Sequence, residues 1–85
     1  MTQDEILRME GALQSDMPPL SLYTYALELS ASGLGRQAIY AIFMEMFERL
    51  GEEGRETDQG HVELILDSLT HFMSPKKPLY LNLPE

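Results

Sequence analysis

GRQAIYAIFMEMFERL, Gly35 to Leu50, is the longest block of the chain in which apolar residues recur at a helical period with no Gly or Pro beyond its first position. At about 100° per residue, Ile42, Met46, Ile39, Leu50, Phe43, Phe47 and Tyr40 fall on one arc, with Gln37, Glu48, Ala41, Glu45, Ala38 and Arg49 opposite. A surface helix needs about 100° of apolar face, so an arc roughly 200° wide predicts contact with helices on two sides, as for the central helix of a bundle. Glu45 and Arg49, four apart in the favourable order, predict an ion pair on the polar face.

The segment before this block predicts a helix with Leu22, Tyr25, Ala26 and Leu29 on the core side, Tyr23 and Leu27 flanking, and Thr24 and Glu28 outward. Pro18 and Pro19 suit its first turn, where their missing N–H groups have no intrahelical partner to lose. Gly33 suits a left-handed C-terminal cap, and the tight turn predicts a close pair with the central helix. After Leu50, the string GEEGRETDQG has three glycines, five charged residues and no apolar one, and predicts a surface stretch that is either a mobile connection or the prolonged, frayed end of the helix before it. A helix restarts at Thr57 or Asp58, carried by Val62, Ile65, Leu66, Leu69, Phe72 and Met73 and closed by Ser74 and Pro75.

At the N-terminus, Thr2 ahead of Asp4 and Glu5 has capping-box spacing, and Ile6, Met9 and Leu13 with Leu7 beside them give a narrow apolar stripe. Gly11 weakens that helix by about 1 kcal/mol relative to Ala. Beyond Pro75 and Pro78, Leu79, Leu81 and Leu83 alternate with Tyr80 and Asn82, as in an extended segment with one apolar edge. The expected fold is all-α, a single domain over 1–85 built as a small helical bundle. Three main helices at about 19–32, 35–50 and 57–73 are joined by a short N-terminal helix at about 3–14 and an extended C-terminal tail over 74–85.

Charge and composition narrow the function classes. Fourteen acidic against six basic residues give a net charge of −8, which opposes non-specific binding to phosphate polymers and anionic membranes and favours basic or neutral partners. The absence of cysteine excludes disulfides, thiolate metal sites and a Cys nucleophile, and the expected location is cytoplasmic. MTQDEILRME lacks the basic region and apolar run of a signal peptide, and the longest apolar run, Ala38 to Met44, is too short to span a bilayer. No Gly-rich phosphate loop and no Ser-His-acid motif is recognisable, so neither an enzyme nor a cofactor is expected. Asp67 and His71, four apart and opposite the apolar stripe, read as an exposed helix pair, and no metal site is expected.

One string points elsewhere. Ser32 to Ile42, SGLGRQAIYAI, resembles the turn and recognition helix of helix-turn-helix DNA-binding proteins, in which a Gly turn precedes a helix rich in Arg, Gln and Tyr. The resemblance implies Gly33 as the turn glycine, Leu34, Ile39 and Ile42 as packing positions, and Arg36, Gln37 and Tyr40 as contacts to bases or phosphates. The small residue of the family's first helix falls at Leu29, and the neighbouring apolar position at Glu28. Arg36 and Arg49 are balanced by Glu45 and Glu48 between Gly33 and Leu50, so the phosphate attraction that supplies most affinity is missing. DNA binding is therefore the alternative, and nucleic acid is not the expected partner.

Apolar residues beyond the evident needs of the core are either covered within one molecule by the first helix and the tail or form the candidate interface: Tyr40 and Met44 at the edge of the central arc, Leu64 on the far side of the last helix, and Leu79, Leu81 and Leu83 in the tail. The expected role is that of a small acidic, non-enzymatic protein that works by protein contact, as a homodimer or an accessory subunit.

Overall fold

The computed structural model describes residues 1–70, in which four helices and no strand occur: α1 (Gln3–Leu13), α2 (Pro18–Ala31), α3 (Arg36–Glu52) and α4 (Glu56–Thr70). Helix makes up 81% of these residues, which places the chain in the all-α class. The expected last turn of the fourth helix, with Phe72 and Met73, and the tail with Leu79, Leu81 and Leu83 lie outside the described residues. Among the described residues no helix is long and apolar enough to cross a membrane.

Each helix end is fixed by local chemistry. At the start of α1 the Thr2 hydroxyl accepts from the Glu5 amide at 3.1 Å, and the Glu5 carboxylate accepts from the Thr2 amide at 2.9 Å, which completes the capping box. The Ser15 hydroxyl donates to the Ala12 carbonyl and meets the Ser21 hydroxyl, each at 2.7 Å, so the end of α1 is tied to the first turn of α2. Gly33 at φ 107 closes α2 in a Schellman turn, in which the Leu34 amide donates to Leu29 and the Gly33 amide to Ser30.

Gly54 at φ 73 repeats the same turn at the end of α3, where the Arg55 amide donates to Leu50 and the Gly54 amide to Gly51. This turn corrects the expectation of a mobile connection over Gly51 to Gly60, while the alternative of a prolonged helix end holds as far as Glu52. α3 runs on through Gly51 and Glu52, only three residues link it to α4, and the Gln59 amide already donates to the Arg55 carbonyl. The two Schellman bonds satisfy the terminal carbonyls, and that keeps a polar, glycine-rich string ordered.

The core consists of Met9, Ala12 and Leu13 from α1, Leu22, Tyr25 and Ala26 from α2, Ile39, Phe43, Met46 and Leu50 from α3, and Val62, Ile65, Leu66 and Leu69 from α4. α3 and α4 make the most extensive helix pair, α1 lies along α2, and α2 packs on α4 with a smaller contact to α3. The expected closeness of the second and central helices is therefore corrected. The short link makes α2 and α3 neighbours in sequence, but α2 turns its core face mainly to α1 and α4, and it meets α3 at the Tyr25 and Phe43 rings, 6.3 Å apart.

The wide apolar arc of α3 is likewise only partly consumed. Ile39, Phe43, Met46 and Leu50 are buried, while Tyr40, Ile42, Met44 and Phe47 form a half-buried rim against the same core.

Candidate functional site

Polar contacts first show which charged groups are spent on the fold. Arg55, at the α3–α4 turn, donates from Nη1 and Nη2 to both carboxylate oxygens of Glu10 in α1, each at 2.8 Å. Its Nε and Nη2 reach Asp58 at 3.0 and 2.8 Å, and Nη1 reaches Glu53 at 3.1 Å. Nothing in the periodicity of the sequence marked this hub, because its partners lie on three different stretches of chain. The Arg55 guanidinium holds the Glu10 carboxyl below its usual range, against the opposing effect of burial. Glu10, Asp58 and first of all its hydrogen bond to Glu10 push Arg55 itself up.

The Met1 amine donates to Glu45 at 2.8 Å, and Arg49 lies 3.6 Å from Glu53. The expected Glu45–Arg49 pair gives way to these two, since each partner has a charge of opposite sign already in reach.

Between α1 and α2 lies an open groove of about 310 Å³ lined by Leu7, Gly11, Ala12, Ser21, Thr24 and Tyr25, with Arg8 and Glu28 facing one another across it. Arg8 pairs with Glu28 and sits 4.8 Å from the centre of the Tyr25 ring. Burial, reinforced by Glu5, pushes the Tyr25 phenol up. The titratable side chains of the groove are thus occupied with each other. Among the described residues no three His, Cys, Asp or Glu side chains converge as a metal site would require, and His71 lies outside the described residues.

Apolar exposure is the property that remains. Leu20 is 50% exposed and Leu27 40%, on the face of α2 turned away from Leu22 and Tyr25. Leu7, across the groove, is 60% exposed, and Met17 at the head of α2 is 61% exposed. Comparison with protein-family models, with curated proteins and with solved structures finds no match. The surface itself therefore carries the functional argument.

Of the residues singled out from sequence, Leu64 is exposed as expected, at 45%, beside the exposed acids Glu63 and Asp67. Tyr40 and Met44 are half-buried against the core of their own chain. Arg36 is half-buried at the first position of α3 and Tyr40 is half-buried against the core, so of the three residues implied for DNA contact only Gln37 stands exposed.

Sequence reasoning missed Leu7, Met17 and Leu20, and it placed Leu27 merely at a flank. A signal was present: α2, PPLSLYTYALELSA, contains a single charged residue, Glu28. A helix with so few charged residues is normally covered by neighbours over most of its surface.

Proposed function

We propose that this protein works by contact with protein, as a small non-enzymatic interaction or accessory subunit of the cytoplasm, using the outer face of α2. The observation that carries this reading is the exposure of Leu20 and Leu27 on a helix with one charged residue in fourteen. Exposed leucines scattered singly are ordinary on a soluble domain. Two of them seven residues apart share one side of α2, with Met17 exposed at the head of the helix and Leu7 exposed across the groove. The non-enzymatic character is supported by Arg8 and Glu28, whose charges in the groove are paired with each other.

Helix-turn-helix binding ranks second, because Tyr40 is half-buried against the core and the acidic chain offers duplex phosphates little attraction.

The test is affinity capture from the native lysate with the wild-type chain and a Leu27→Glu variant as parallel baits, quantified protein by protein. A companion, whether another protein or untagged copies of this one, is expected to be retained by the wild type and lost from the variant. Identical capture by both baits would refute the use of this face.

A further inference from the structure

Resting on the interaction reading above, we infer that the partner is a cationic, amphipathic helix of another protein. Its apolar side chains enter the open groove between α1 and α2, and its Lys or Arg side chains meet the carboxylates around that groove.

Shape is the first argument. At about 310 Å³ the groove is at the small end of the about 300–1,000 Å³ typical of ligand pockets, so it holds one or two side chains and not a whole helix. Gly11 makes the room, since no atom lies within 4 Å of the place a Cβ would take there. Leu7, 60% exposed, lines the α1 side. On the α2 side Thr24 lines the groove and stands exposed, with the exposed Leu20 and Leu27 four residues before it and three after, one helical turn away on the same side. A guest whose side chain fills the groove therefore has Leu7 on one flank and the two leucines of α2 on the other.

Charge is the second argument, and it selects the guest. Tyr25 lines the groove, and after burial it is Glu5, Asp4 and Glu28 that push its phenol up, with Arg8 alone acting the other way. Three carboxylates against one guanidinium make the groove negative, on a chain whose net charge is −8. Arg8 is held by Glu28 and over the Tyr25 ring, so the one cation at the groove is already engaged. An acidic helix is repelled from this surface, and a basic one is drawn to it.

The probe is a fluorescein-labelled synthetic helix of leucine and lysine with its leucines at a helical period. It is titrated with the intact chain by fluorescence anisotropy at about 0.15 M salt, where attraction is screened beyond about 8 Å. Binding below about 100 μM is expected. A helix of leucine and glutamate, and a scrambled peptide with the same leucine and lysine content, are expected to bind at least about tenfold more weakly. Gly11→Leu fills the groove and raises helix propensity, so it is expected to weaken binding at least about tenfold with a melting temperature no lower than that of the wild type. Asp4→Asn is expected to weaken it about two- to threefold, and Glu63→Gln on α4 to leave it unchanged.

No binding of the leucine and lysine helix at about 100 μM would overturn the inference, as would undiminished binding by Gly11→Leu or equal binding of the scrambled peptide. If that helix fails to bind while lysate capture is still lost on Leu27→Glu, the interaction reading stands and the cationic helix is the wrong occupant.

Discussion

Arg55 joins three parts of the chain through side chains only: Glu10 on α1, Glu53 at the end of α3, and Asp58 in the first turn of α4. The two parallel bonds to Glu10 match the fork of the guanidinium to the carboxylate, the geometry in which an ion pair holds its partners best. Arg55→Ala removes these bonds and leaves Glu10 and Asp58, both about three-quarters shielded, without a cation. A loss of about 1–2 kcal/mol in urea denaturation at neutral pH is expected.

The pH dependence has a definite sign. The Glu10 carboxyl lies lower in the folded chain than its ordinary value of 4.5, so its contribution is complete above that value and disappears as pH falls through the depressed one. Stability of the wild type should therefore drop on acidification below about pH 4.5, and that of Arg55→Ala should drop less steeply.

At the scale of the element, glycines with opposite roles separate conformation from space. Gly33 takes φ 107 to end α2, a backbone region that an L side chain rarely adopts, so Gly33→Ala is expected to cost about 1–2 kcal/mol although the space beside it is open. Gly11 lies inside α1 with ordinary helical backbone and nothing within 4 Å of an added Cβ, so Gly11→Ala is expected to stabilise by about 0.5–1 kcal/mol. Urea midpoints of the two variants measured side by side check both signs.

Gly51 differs from either. An added Cβ would lie 2.6 Å from Gln59 Nε2, and that amide donates to the Phe47 carbonyl at 3.0 Å, so the close seating of α4 on α3 passes over this glycine. The Thr2 capping box and the Gly33 turn are visible in the sequence because their partners lie within a few residues. The Gln59 bond to Phe47 was not visible, because its partners meet only after two helices have docked.

The described residues share one core, and Phe43 stands where its parts meet. It is fully buried on α3, in ring contact with Tyr25 of α2. Phe43→Ala is expected to cost about 3–5 kcal/mol through lost burial and the cavity left behind, a large part of the stability of so small a domain. Thermal unfolding by circular dichroism should show a strongly lowered and broadened transition. The same size argument bears on α2. The other three helices leave one side of a helix with a single charged residue uncovered, so Leu20 and Leu27 stand exposed.

The sequence by itself determined the four helices, the caps at Thr2 and Gly33 and most of the core positions among the described residues. Each of these follows from relations within a turn or two of helix: Thr2 with Glu5, Gly33 after Ser32, and Ile39, Phe43, Met46 and Leu50 at helical spacing. Only the tertiary structure decided which helices pair, that Arg55 meets Glu10 forty-five residues away, and that Leu20 and Leu27 face solvent. The reason is physical: a periodic pattern records that a face is apolar, whereas its coverage depends on where the other helices pack, and that is settled by contacts between residues far apart in the chain.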